Sequence, residues 1–149
     1  MVGRREEGFY AELQPITEKA IPDALKVSGF VLTELAKTGE KPEQVMKKLR
    51  DWVEKVKDAG KPVFVGFNAG FDWSFVNWYF HRYLGDNPFG FAALDVKSFY
   101  MGMAGCDWEG TKSSRIRPEF QPEKPGTHNA LVDARAQAEM FEKMLAAGK

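Results

Sequence analysis

From Phe9 to Leu13 the chain alternates apolar Phe9, Ala11 and Leu13 with Tyr10 and Glu12, which predicts a strand with one wet face at the edge of a sheet. Residues 42–57 change period. Val45, Leu49, Trp52, Val53 and Val56 fall on one helical face, with Pro42 at the start and Gly60-Lys61-Pro62 at the stop. Pro62 to Phe67 is a short apolar run without alternation, expected of a strand buried on both faces in a parallel sheet, and Phe91 to Val96 reads the same way. Between them the aromatic-rich stretch from Asp72 to Leu84, closed by Gly85, suits a crossover helix joining parallel strands. A last helix is expected from about Ala130 to Ala146, packing on the sheet through Leu131, Ala134, Ala138, Phe141 and Leu145. Residues 104–127 have little periodicity and read as a long loop leading into His128. The order of elements predicts one α/β domain over residues 1–149.

Composition narrows the class. The 44% hydrophobic and 28% charged shares are those of an ordinary globular protein, and no apolar stretch is long enough to span a bilayer. Charges at Arg4, Arg5, Glu6 and Glu7 stand where a signal peptide needs an apolar run, so a cytoplasmic address is expected. Cys106 is the only cysteine, which excludes an internal disulfide and a thiolate zinc cluster, and it reads as an incidental free thiol. Twenty-one basic residues balance twenty-one acidic ones, so the molecule has no basic field to draw in long nucleic acid. That argues against a non-specific duplex binder more than against an enzyme that grips a few terminal nucleotides.

Two clusters can carry chemistry. In Gly66-Phe67-Asn68-Ala69-Gly70-Phe71-Asp72 a buried strand runs into a small-residue turn and an aspartate, which would stand at the carboxyl end of a parallel strand, where ligands commonly bind. The plainer role for Asp72 is a helix N-cap. In Thr127-His128-Asn129-Ala130-Leu131-Val132-Asp133-Ala134 a loop histidine precedes an aspartate in the first turn of a helix. Asp133 there can simply favour the helix dipole, and His128 can be solvated. Phosphodiester cleavage would use all three, because hard oxygen ligands hold Mg²⁺ while an imidazole takes a proton from water. Trp73 and Phe75 flank the first cluster; Phe75 is expected in the core, and Trp73 is open between packing and stacking a terminal base. His81 is expected to be packed or at the surface, and Lys112, Arg115 and Arg117 to be solvated on the loop.

Asn68-Ala69-Gly70-Phe71-Asp72 and His128-Asn129-Ala130-Leu131-Val132-Asp133-Ala134 resemble the second and third motifs of DEDDh-type 3′→5′ exonucleases such as ribonuclease T, oligoribonuclease and proofreading subunits. Leu94-Asp95-Val96 is similar to the strand that follows the second motif in that family, and the likeness runs from about residue 8 to 145. The resemblance implies a ribonuclease-H-like mixed sheet flanked by helices, and release of nucleotides from the 3′ end of DNA or RNA with two Mg²⁺ or Mn²⁺ ions. It also implies Asp72 and Asp133 as metal ligands, His128 as general base, and Trp73 as a candidate substrate contact. The partner it implies is a single-stranded nucleic-acid 3′ end, with no membrane; family members work alone and as dimers, so a homodimer stays open. The family's first motif, Asp-x-Glu on the opening strand, does not occur before Phe9, and Glu6-Glu7 have the wrong spacing. The chain is therefore expected to lack the opening strands, to be incomplete at its amino terminus relative to the family, and to have little or no nuclease activity by itself. The rival expectation is a catalytically silent nucleic-acid-binding or protein-interaction module.

Overall fold

The computed structural model of the chain describes residues 3–124 and 126–148. Helices α1 (Pro22–Ser28), α2 (Leu32–Thr38) and α3 (Pro42–Val56) precede strand β1 (Phe64–Gly66) and helix α4 (Ala69–Leu84). Strand β2 (Ala93–Asp95), helix α5 (Val96–Ala104), three short 3-10 turns and helix α6 (Ala130–Ala147) complete the order. β1 and β2 pair in parallel with Phe64 opposite Ala93 and Gly66 opposite Asp95, and α4 is the crossover between them. The fold is α/β, as expected, with a small parallel sheet flanked by helices.

α3 forms where the spacing predicts it, burying Val45, Met46, Val53 and Val56. Three expectations fail in instructive ways. The segment Phe9–Leu13 makes no ladder; it contributes one parallel bridge, Leu13 to Glu40, with Gln14 N–H donating to Glu40 O and Glu40 N–H to Glu12 O, both at 2.8 Å. β1 is not buried on both faces, since Phe64 and Val65 are only half-buried and Val63 is exposed, because β2 covers one edge and nothing among the described residues pairs with the other. α6 packs through Met140, Phe141 and Met144 in its second half, whereas Ala134 and Leu145 stay exposed.

The stretch expected as a loop is tightly built. Its turns at Glu109–Thr111, Ser113–Arg115 and Pro118–Phe120 bury Thr111, Ile116 and Phe120. Ile116 and Phe120 join Val96, Tyr100, Met140, Phe141 and Met144 in the main core, with the Phe120 and Tyr100 rings edge to face at 6.1 Å. The backbone there is pinned by side chains: Tyr100 Oη accepts from Arg117 N–H at 3.2 Å, and Gln121 Nε2 donates to Ser113 O and Ile116 O at 2.7 and 2.9 Å. Lys112, Arg115 and Arg117 remain exposed, as expected.

The opening turn docks on α6. Arg5 meets Glu139 at 2.9 Å and Glu142 at 3.2 Å, and Arg135 donates to the Arg5 and Glu6 carbonyls at 3.1 and 3.2 Å. From there residues 8–13 run past the amino-terminal half of α6, Gly8 so close to Leu131 that an added Cβ would lie 2.7 Å from its Cδ1. Among the described residues no helix is long and apolar enough to cross a membrane.

Candidate active site

The unpaired edge of β1 opens onto an elongated cleft of about 1330 Å³. It is lined by the carboxyl end of β1 with the first turns of α4, the start of α6, α1 and the 10–13 segment. Asp72, His128 and Asp133, drawn from segments more than fifty residues apart, all line this cleft.

Each is placed by local backbone chemistry. The strand β1 ends at Gly66, and the turn at Asn68 takes a left-handed conformation (φ 65°) that asparagine tolerates better than most residues. Asn68, not Asp72, is therefore the N-cap residue of α4, and Asp72 stands one turn in. The N-cap role considered for Asp72 is thus taken by another residue. Desolvation by the neighbouring cleft wall raises the Asp72 carboxyl above the ordinary aspartate range, a hydrogen bond from its own backbone opposing this, although the residue as a whole is exposed. His128 also has a left-handed backbone (φ 63°), and it is exposed where it lines the cleft. Asn129 caps α6, accepting from Leu131 and Val132 N–H at 3.1 and 3.2 Å. Asp133 Oδ1 accepts from Thr127 N–H at 2.8 Å, which ties the histidine loop to the helix that carries the carboxylate. Gly126 lies against that carboxylate, where any Cβ would come within 2.7 Å of Oδ1.

Two positioning residues escape a motif reading. Asp95 at the end of β2 accepts from Ala69 N–H at 2.9 Å through Oδ1, and from Ser98 N–H at 2.9 Å and Ser98 Oγ at 2.6 Å through Oδ2. It caps α5 and fixes the first turn of α4. Burial opposes its ionisation, yet the Ser98 hydroxyl and the N–H groups of Ala69, Ser98 and Lys97 outweigh that and hold its carboxyl below the ordinary range. Gln137 Oε1 accepts from Phe67 N–H at 3.0 Å, joining α6 to the end of β1. Its signal was available, because it lies four residues after Asp133 on the same helical face.

The Trp73 ring is half-buried and lies 5.4 Å from that of Phe64. Phe75 is not in the core; it is exposed. His81 is at the surface. Also lining the cleft are Ala24, Val27 and Phe30 from α1 and the turn after it, apolar positions with no motif to announce them.

Asp72 and Asp133 offer hard oxygen donors, the right chemistry for a divalent ion, but two such ions take more ligands than two carboxylates and one imidazole provide. No group of three or more His, Cys, Asp or Glu side chains among the described residues is arranged to hold a metal ion. The described residues therefore do not fit a complete two-ion centre.

Residues 1–141 match the Exonuclease family, RNase T type. Over 134 residues, 89% of this chain and 72% of the relative, the sequence is 51% identical to the protein named 3'-5' DNA exonuclease Cap18 of Escherichia coli. With a cleft that gathers both resembling motifs and a match that runs through nearly the whole chain, the protein belongs to the exonuclease family.

Proposed function

We propose that the cleft is a 3′→5′ exonuclease site acting on a DNA 3′ end, with Asp72 and Asp133 as metal-binding carboxylates and His128 as general base. The observation that carries this reading is that Asp72, from a segment more than fifty residues before that of His128 and Asp133, lines one cleft with them at the carboxyl end of a parallel strand. The name of the Escherichia coli relative supports DNA as the substrate and the 3′ end as the point of attack. In the proposed reaction His128 accepts the proton of the attacking water, and the apolar wall at Val27 and Phe30 faces the terminal nucleotide. Divalent ions, Mg²⁺ or Mn²⁺, would supply charge stabilisation at the phosphate when bound.

The remaining carboxylates of such a centre are proposed to come from a strand laid along the free edge of β1, the side on which the cleft is open. A parallel strand as apolar as Val63 to Phe67 is seldom left unpaired, and the added strand would bring an Asp-x-Glu pair to the edge of β1, since the Asp107-Trp108-Glu109 of this chain follows α5 and does not line the cleft. The test compares residues 1–149 with a protein extended upstream through an Asp-x-Glu strand, on 5′-labelled single-stranded DNA with Mg²⁺. Stepwise shortening from the 3′ end by the extended protein, stopped by Asp133→Asn, is expected. Internal cuts, or release from the 5′ end, would refute the assignment. The scarcity of carboxylates favours a second reading for residues 1–149 alone, a binding module without cleavage; retention of the oligonucleotide with no Mg²⁺-dependent shortening in either protein would select it.

A further inference from the structure

One face of α4 carries a row of exposed aromatic rings. A helix turns about 100° per residue, so Phe71, Phe75, Trp78 and Arg82 form a single ridge, flanked on one side by Ser74 and His81. The three rings are 62%, 53% and 47% exposed, although exposed large apolar side chains are normally scattered singly. Their own packing does not account for them. Phe71 and Phe75 touch only edge to face at 5.2 Å, and Trp78 leans edge-on against Tyr79 and Tyr83 at 5.1 and 6.4 Å. The buried side of α4 is the opposite one, with Ala69 and Phe80.

The ridge is continuous with the candidate active site. Asp72, next to Phe71, and Val76, next to Phe75, turn into the cleft, so the ridge is the adjoining face of the same helix. It begins at the catalytic end and runs away from it for about 10 Å, from Phe71 to Trp78. Its charge is also of one kind. None of the six residues on this face is acidic, in a chain whose charges otherwise cancel, and Arg82 at the far end carries its guanidinium 6.0 Å over the Tyr83 ring.

Resting on the exonuclease reading of the cleft, we infer that the Phe75–Trp78–Arg82 ridge of α4 is a second binding site for single-stranded nucleic acid. It holds by stacking the unpaired bases that follow the terminal nucleotide out of the cleft. Aromatic rings take any base because every base has a π-face, and a lone cation among them meets the phosphates. Paired bases keep their faces inside the duplex, so the ridge selects single strands and 3′ overhangs over blunt ends.

The test uses the full chain with a chelator present, so that nothing is cleaved, and reads the binding of a short single-stranded oligothymidine and of a blunt duplex by fluorescence anisotropy. Phe75→Leu and Trp78→Leu keep apolar bulk and remove the ring at exposed positions, so thermal melting should be unchanged. Each should weaken single-strand binding about tenfold or more and leave duplex binding as it was. Arg82→Gln should lower the slope of log affinity against log salt by about one. The inference is overturned if the unaltered chain shows no preference for the single strand, if neither ring substitution changes that preference, or if sedimentation finds the ridge buried against a second copy. Asp133→Asn in an Asp-x-Glu-containing protein separates the two proposals: hydrolysis lost with ridge-dependent binding retained supports both, and hydrolysis retained defeats the cleft assignment alone.

Discussion

Replacing Asp95 by alanine should damage the fold and the cleft together, because this carboxylate joins the end of β2 to the starts of α4 and α5. Loss of the cap on α5 costs roughly 1 kcal/mol. Ala69, 1% exposed, would keep a backbone N–H with no acceptor, which adds roughly 1–3 kcal/mol. The sum, about 2–4 kcal/mol, corresponds to a fall in Tm of roughly 5–15 °C for a domain of this size. Asp95→Asn, which keeps one acceptor oxygen, should lose about half of that. The pH dependence has a defined sign. A carboxyl held below the ordinary range in the folded state contributes stability that is present above the unfolded aspartate value and lost as pH falls through the folded one. The gap in Tm between the parent protein and Asp95→Asn should therefore be full at neutral pH and close below the ordinary aspartate range. Calorimetric melts across that range check it; a fall in Tm under about 2 °C for Asp95→Ala at neutral pH, or a gap that widens on acidification, would refute the reasoning.

Asp72→Asn should do the opposite to stability: burial disfavours the carboxylate, so the folded chain holds its proton to higher pH than the unfolded one and loses stability as pH rises through that interval. The variant should melt higher at neutral pH, by no more than about 1 kcal/mol because solvent still screens the group, and equally at low pH, while losing hydrolysis in an Asp-x-Glu-containing protein. His128→Ala in that protein should cut turnover by roughly two to four orders of magnitude with melting and oligonucleotide binding unchanged, as measured by single-turnover kinetics. Phe120→Ala should cost about 3–5 kcal/mol in denaturant unfolding, since the stretch that carries it is core and not a solvated loop.

The elements that sequence reading locates well are those whose period is set by one dominant contact face. α3 shows its stripe because it packs along its whole length, and α4 and α6 are bracketed by Asn68, Gly85 and Asn129. Reading fails where tertiary context overrides the pattern. Phe9–Leu13 alternates like a strand, but a strand needs a partner along its length, and among the described residues this segment bridges only to Glu40. Residues 104–127 lack periodicity because 3-10 turns bury isolated side chains, Thr111, Ile116 and Phe120, instead of a face. Phe75 is exposed although most aromatics pack in cores, because its angle on α4 puts it on the face opposite Phe80. In the cleft, Asp72, His128 and Asp133 are legible as residue types next to turns, and Gln137 by its place one turn after Asp133, whereas Asp95 acts through the Ala69 N–H of another segment and leaves no local trace of that role.

The most direct test of the account is whether Asp72 and Asp133 serve one site. Mn²⁺ titrated into the ¹⁵N-labelled chain broadens amide signals close to wherever the ion binds, and it reads the site without depending on turnover. The account predicts that the signals of residues 70–73 and of 127–134 broaden together at the lowest additions, and that Asp72→Asn or Asp133→Asn weakens the effect in both stretches. Broadening confined to one stretch, or insensitive to either substitution, would contradict the claim that this cleft is the metal-binding site of an exonuclease.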